Sequence, residues 1–190
     1  MTQRSSLTDR YFDALYARDP DPWRFATSAY ERAKYDATLD ALPRPRFDAA
    51  LEIGCSIGVL TRRLAGRCGT LLAIDVAAAA LDQARLRCAD LGHVSFRRSR
   101  IPEQWPDGRF DLILLSEVLY YLDPPAIARA ATCARASLRI AGAALLVHYV
   151  LPTDYPCSGD EATDVFLAQS GLTPVLRQRT AEYRIDLLQA

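Results

Sequence analysis

The sequence contains two histidines, His93 and His148, one methionine, and five cysteines, Cys55, Cys68, Cys88, Cys133 and Cys157, with no Cys-x-x-Cys pair. Zinc centres draw four Cys, His or carboxylate ligands at short spacings, which this pattern does not offer, so no metal role is expected. An odd number of scattered cysteines gives no disulfide framework and reads as reduced, mostly buried thiols in a cytoplasmic protein. Charge of one sign is also lacking. Basic and acidic residues balance at 23 each, which leaves no global field toward nucleic acid or an anionic membrane. No apolar run approaches the roughly 18 residues that span a bilayer, and Met1 to Ser6 have no apolar signal core, so no membrane association is expected. What the chain does have is 190 residues at 50% hydrophobic content, enough for one domain with a full core.

Residues 8 to 18 read as a short helix with Tyr11, Phe12, Leu15 and Tyr16 on one face, stopped by Asp19-Pro20-Asp21-Pro22. Ser28-Ala29-Tyr30-Glu31 has the form of a capping box and opens a helix running to about Leu42. Pro43-Arg44-Pro45 then joins an N-terminal helical cap, residues 1–45, to the main domain, residues 46–190. From Ala49 short apolar runs alternate with helical segments, as a parallel sheet with crossover helices requires. Strands are predicted over 49–52, 70–75, 94–97, 110–116 and 143–150, with helices near 57–66, 77–89, 124–139 and 160–170. Residues 172–178 and 183–188 form an antiparallel hairpin.

Ligands of open α/β sheets bind beyond the carboxyl ends of the strands. The first such end is Glu52-Ile53-Gly54-Cys55-Ser56-Ile57-Gly58. Small residues at 54, 56 and 58 let the backbone approach a ligand, and the helix N-terminus behind them offers unpaired N–H groups. The second strand ends in Asp75-Val76, 17 residues past Gly58. A carboxylate there can accept both ribose hydroxyl hydrogens, in bonds of about 1.5–3 kcal/mol each, with Val76 against an adenine face. The competing reading of Asp75 is a helix cap, which need not exclude binding. A dinucleotide fingerprint, Gly-x-Gly-x-x-Gly, fails at Ser56 and at Val59.

The remaining pattern resembles motif I of class I S-adenosylmethionine-dependent methyltransferases, acid-x-Gly-x-Gly-x-Gly, with Ser56 replacing one glycine. Phe110-Asp111-Leu112-Ile113 and Ser116-Glu117-Val118-Leu119-Tyr120-Tyr121-Leu122 resemble motif IV of the small-molecule enzymes. With Asp-Pro-Trp-Arg at 21–24 and Tyr-Glu-Arg at 30–32, the likeness is to nodulation protein S (NodS) type N-methyltransferases, which act on the free amine of a deacetylated chitooligosaccharide. The resemblance covers most of residues 7 to 150. It implies a Rossmann-like seven-stranded α/β sheet in the order 3-2-1-4-5-7-6 with strand seven antiparallel. It also implies S-adenosylmethionine as cofactor, S-adenosylhomocysteine as product, and a small-molecule acceptor, preferably an amino-sugar-like amine, on a monomer or homodimer. An O-methyltransferase and a non-catalytic cofactor sensor are the alternatives. Cofactor contacts are expected from Trp23, Glu52, Gly54, Cys55, Ser56, Gly58, Asp75, Val76, Arg100, Ile101 and Ser116. Arg100 stands where relatives carry an adenine-binding acid, so adenine is expected to meet the backbone at Arg100 and Ile101. Otherwise Arg97, Arg98 and Arg100 read as a solvated face.

Methyl transfer mainly needs a positioned acceptor, and a base adds typically 10²–10⁴-fold. The candidates at the strand ends are Glu117, Tyr120 and His148. Tyr121 is adjacent to Tyr120 and is expected on another helix face, so that only one of the two meets the acceptor. His148 is as consistent with a satisfied core histidine as with a base. Arg24, Arg32 or Lys34 could meet the cofactor carboxylate. Asp123-Pro124-Pro125 has the look of a nucleic-acid amino-methyltransferase signature but lies seven residues past the strand-four tip and reads as a helix start.

Overall fold

The middle of the sheet is set by Phe110-Asp111-Leu112-Ile113-Leu114-Leu115-Ser116, seven residues that are all buried. In a parallel sheet covered on both faces a strand has no solvent side, so a continuous apolar run replaces alternation. A computed structural model describes residues 5–190; Met1 to Arg4 of the polar N-terminal run lie outside the described residues. The elements in chain order are α1 (Asp9–Arg18), α2 (Ala29–Asp40), β1 (Phe47–Ile53), α3 (Val59–Ala65), β2 (Cys68–Asp75), α4 (Ala78–Arg87), β3 (Val94–Arg98), β4 (Phe110–Ser116), α5 (Pro124–Ser137), β5 (Leu138–Tyr149), α6 (Gly159–Ser170), β6 (Thr173–Arg179) and β7 (Tyr183–Gln189). A single 3₁₀ turn, Leu119–Tyr121, lies between β4 and α5.

The seven strands form one sheet in the order β3-β2-β1-β4-β5-β7-β6. The first five pair in parallel, and β7 runs antiparallel to both β5 and β6. This is the order that the resemblance implied. The buried acid of β4, Asp111, accepts the N–H groups of Asp48 and Ala49 at 2.8 Å each, and Arg44 at 3.1 Å. It thereby ties the start of β1 to its neighbour.

Three local expectations change. β5 starts at Leu138 rather than residue 143, because the pairing shifts register between Phe110 and Leu112, which face Leu138 and Ala143. Ala141 in the bulge has φ +58°, and Ile140 is fully exposed, so the apolar pattern breaks inside the strand. The second change is at the Ser28 cap. Ser28 Oγ accepts from the Glu31 N–H at 3.3 Å, but the Glu31 carboxylate turns to Lys34 Nζ at 3.0 Å instead of reaching back. A charge-assisted bond is the stronger choice, and the reciprocal box forms instead at Ser158 and Glu161 of α6.

The third change concerns the arginines. They are not simply solvated: Arg98 pairs with Asp13 at 3.0 Å, Arg100 pairs with Asp9, and Arg97 reaches Ser99 Oγ at 3.4 Å. Asp9 and Asp13 lie one turn apart on α1, so two ion pairs fasten that helix across the carboxyl ends of the strands. Gln83 of α4 adds a bond to the Pro20 carbonyl at 2.8 Å. No helix among the described residues is long and apolar enough to cross a membrane.

Candidate active site

The turn after β1 takes left-handed backbone at three alternate positions, with φ +79° at Gly54, +49° at Ser56 and +77° at Gly58. The glycines are required by different neighbours. A Cβ on Gly54 would lie 3.2 Å from the Ser116 carbonyl oxygen, and one on Gly58 would lie 2.9 Å from the Ala84 Cα. Ser56 carries a side chain in a conformation that costs an L-residue roughly 1–2 kcal/mol. Two bonds hold it there: its N–H donates to Asp75 Oδ2 at 2.9 Å, and its hydroxyl shares a hydrogen bond with the Tyr16 hydroxyl of α1. Burial and the nearby Asp75 carboxylate push the Tyr16 phenol well above its usual range, so it stays protonated.

Asp75 also accepts the Ala77 N–H at 2.9 Å, ahead of α4. The N-cap of α4 is Ala77, with no side-chain cap bond, so Asp75 is not the helix cap; its two bonds use one lone pair on each oxygen, which leaves further acceptor capacity on the same carboxylate. Glu52 beneath the turn is 1% exposed, and its Oε2 has no hydrogen-bond partner among the described residues. Burial raises its carboxyl to about 7, a shift that the nearby Thr61 hydroxyl only partly offsets.

Over this turn lies a cavity of about 370 Å³. Of the residues expected to meet the cofactor, Trp23, Glu52, Gly54, Cys55, Ser56, Asp75, Val76, Arg100, Ile101 and Ser116 line it, whereas Gly58 sits behind it, packed on Ala84. Trp23 stacks on Phe25 with ring centres 5.5 Å apart and meets Tyr16 edge-on at 5.8 Å. α1 and the segment after it thus supply one wall.

The β4 tip supplies another. Glu117, at φ +56°, accepts Lys34 Nζ at 2.7 Å on Oε1, and both the Tyr120 hydroxyl at 2.5 Å and the Tyr149 N–H at 3.0 Å on Oε2. Burial works against this carboxylate, but Lys34 and the other donors outweigh it and hold its pKa below the usual range. For Lys34 burial opposes the charge as well, and Glu117 and Glu31 reverse the balance, leaving the ammonium more basic than usual. A carboxylate held this way is a poor proton acceptor, so the geometry suits an organising role for Glu117 better than a basic one. Tyr120 and Tyr121 both line the cavity, contrary to the expectation that one would turn away, because the 3₁₀ turn sets their rings edge-to-face at 4.6 Å. Tyr155 stacks on Tyr120 at 5.3 Å and meets Tyr121 edge-on at 4.7 Å.

Several sequence-level assignments are corrected. His148 is fully buried and does not line the cavity. Its Nε2 accepts the Leu119 N–H at 3.2 Å, so its proton resides on Nδ1, 3.3 Å from Thr163 Oγ1. Both ring nitrogens are used, and burial lowers its pKa to about 4, so it is a structural residue and not a base at the site. The Arg100 main chain does not offer itself to adenine: its N–H donates to Gln104 Oε1 at 2.9 Å and its carbonyl accepts the Gln104 N–H at 2.7 Å. Ile101 lines the cavity. Arg32 donates to the Thr27 carbonyl at 2.9 Å and, like Arg24, does not line the cavity, whereas Lys34 does line it with its ammonium on two carboxylates. Asp123-Pro124-Pro125 is the helix start expected of it: Asp123 caps α5 through the Ala126 N–H at 3.0 Å, with Pro124 in the first turn. Sequence reasoning missed the roles of Tyr16, Glu31 and Tyr155. Tyr16 was visible only as one member of an apolar helix face, which does not distinguish a core ring from a cavity wall.

Comparison with known proteins agrees with this geometry. The nodulation protein S (NodS) family model matches residues 8–146. Nodulation protein S of Bradyrhizobium diazoefficiens is 41% identical over 104 residues, 54% of this chain and 49% of the relative. That of Rhizobium tropici is 38% identical over 103 residues, 54% of this chain and 43% of the relative. The chain thus spans about half the length of the curated relatives it matches. Among solved structures, a candidate methyltransferase from Pseudomonas syringae is 34% identical with a TM-score of 0.77, covering 86% of this chain and 100% of its own. The N-methyltransferase NodS of Bradyrhizobium japonicum WM9, in complex with S-adenosyl-L-homocysteine, is 25% identical with a TM-score of 0.83, covering 95% and 96%. With a family match that takes in the glycine turn, the Asp75 strand end and the Glu117 tip around one cavity, this chain belongs to the nodulation protein S (NodS) family.

Proposed function

We propose that the chain is an S-adenosylmethionine-dependent methyltransferase acting on the amine of a small, amino-sugar-like acceptor. The observation that carries this reading is a single cavity bordered both by the Glu52–Ile57 turn with Asp75 and by the Glu117, Tyr120 and Tyr155 cluster. The residues present fit the cofactor. Asp75 has acceptor capacity for ribose hydroxyls, Val76 and Ile101 give apolar surface for adenine, and the unpartnered Glu52 Oε2 suits the donors of an α-ammonium group. Gly54 keeps the floor close to the backbone, where a Cβ would press on the Ser116 carbonyl.

When bound, the cofactor supplies a methyl group already activated on a sulfonium. The chain's task is then to orient the acceptor, and orientation can supply as much as about 7–11 kcal/mol of the barrier. Tyr120 commits its proton to Glu117, so toward a ligand its oxygen can act only as an acceptor. Such an oxygen receives an amine N–H and turns the nitrogen lone pair toward the methyl group. Trp23, Phe25 and the tyrosine rings keep water from the reacting atoms.

Titration calorimetry with S-adenosylmethionine, S-adenosylhomocysteine and NAD tests the cofactor. Methyl transfer to a panel of amines and alcohols, glucosamine oligomers included, tests the reaction. Binding of NAD alone overturns the reading; product binding without transfer to any acceptor makes the chain a sensor.

A further inference from the structure

Two buried polar atoms of residues that border the cavity have no role in the scheme above. Glu31 Oε2 and the Tyr30 hydroxyl, neighbours in the first turn of α2, are buried without a hydrogen-bond partner among the described residues, and both residues border the cavity. Glu31 as a whole is only 7% exposed. Burying a polar group without a partner is costly, and such sites call for an explanation.

Charge points the same way. Lys34 Nζ lies 3.0 Å from Glu31 Oε1 and 2.7 Å from Glu117 Oε1, so one ammonium serves two buried carboxylates. Glu117 is otherwise satisfied by Tyr120 and the Tyr149 N–H, whereas among the described residues Glu31 has only Lys34. The cluster carries one negative charge more than it balances, and the surplus falls on Glu31. Burial raises the Glu31 pKa, in keeping with that imbalance. The Tyr30 ring adds a π-face already used by Lys34, whose Nζ is 5.0 Å from the ring centre.

We infer that Glu31, with the Tyr30 hydroxyl, forms a subsite that recognises the incoming acceptor as its cationic ammonium and distinguishes it from a neutral hydroxyl; the ammonium then releases one proton to solvent, and the neutral amine so formed is the species whose lone pair takes the methyl group. The bridge through Lys34 ties Glu31 to Glu117, the residue that holds Tyr120, which is why the subsite belongs to the acceptor. Glu52, under the glycine turn, is the carboxylate left for the cofactor. The assignment rests on the methyltransferase reading, and it names a residue that discriminates among acceptors where that reading names only their class.

The test compares binding of glucosamine and of glucose, which differ at one position by an amine for a hydroxyl, to the full chain at neutral pH, with and without S-adenosylhomocysteine. The wild type is expected to prefer glucosamine by tenfold or more, and Glu31→Gln, which keeps the shape and an oxygen for Lys34, to reduce that preference to threefold or less while changing S-adenosylhomocysteine affinity by less than threefold. Tyr30→Phe is expected to weaken glucosamine by about threefold and glucose by less; it carries the test if Glu31→Gln does not fold. A wild type that does not distinguish the sugars overturns the assignment, as does a Glu31→Gln chain that still does. So does a tenfold loss of S-adenosylhomocysteine affinity in Glu31→Gln with the sugar preference intact, which would move Glu31 to the cofactor. Failure of the wild type to bind S-adenosylhomocysteine counts against the methyltransferase reading alone, because the sugar preference is also read without it.

Discussion

Replacing Lys34 by methionine probes the buried triad at its centre. The Lys34 side chain is 3% exposed, and its Nζ is within 3.0 Å of both the Glu31 and Glu117 carboxylates. Methionine fills similar space but leaves two carboxylates buried without a counter-charge. Removing one partner of a buried pair costs about 3–5 kcal/mol, since the residual charge keeps its desolvation penalty. With a urea slope of about 3 kcal/mol/M, the unfolding midpoint should fall by roughly 1–1.7 M at pH 8. The sign of the pH dependence gives a sharper test. In the wild type Lys34 holds the folded pKa of Glu117 below its unfolded value, so this group's contribution is present above the unfolded pKa and lost as pH falls through the folded one. In Lys34→Met the same carboxyl titrates above its unfolded value, so the variant recovers stability as pH falls, by about 1.4 kcal/mol per pH unit across the window where it takes up its proton. The difference between variant and wild type should therefore shrink from pH 8 to pH 5. A further Glu117→Gln change should restore part of the loss at pH 8. Urea titrations at four pH values read all of this, and a penalty under 1 kcal/mol, or one that does not vary with pH, would refute the buried-triad argument.

Asp75→Ala should weaken S-adenosylhomocysteine tenfold or more in calorimetry; an unchanged Kd would leave Asp75 as a turn-pin only. Gly58→Ala places a Cβ 2.9 Å from the Ala84 backbone at φ +77°, so a loss of about 2 kcal/mol or more is expected in thermal unfolding, and an unshifted Tm would contradict the packing. His148 is neutral in the fold, with its pKa lowered to about 4 from 6.5, so the unfolded chain binds its proton first. Its contribution is complete above pH 6.5 and falls by about 3 kcal/mol as pH drops toward 4. A His148→Asn variant should lack that slope; identical slopes in the two proteins would show that another group controls acid unfolding.

The apolar run of β4, the glycine turn and the hairpin of β6 and β7 are determined by local pattern, because burial on both faces, positive φ and tight reversal each demand particular residue types where they occur. The alternation of strands and helices and the likeness at Glu52–Gly58 and Ser116–Leu122 were enough to anticipate the sheet order. Polar residues at strand ends were another matter. Glu117 and His148 both stood as strand-end candidates in the sequence, yet Lys34, 83 residues away from Glu117, makes one an organised carboxylate at the cavity, while His148 bonds to Leu119 and Thr163 in the buried core. Ser56 in a glycine's place was legible only as a departure. Its Tyr16 partner comes from a helix 40 residues earlier, brought over the turn by ion pairs with Arg98 and Arg100. The sequence by itself determined the scaffold and the candidate cofactor turn, since backbone geometry is specified by neighbours in the chain. Only the tertiary structure decided which acids and rings share the cavity, because solvation and charge pairing depend on residues that meet only when the chain has folded.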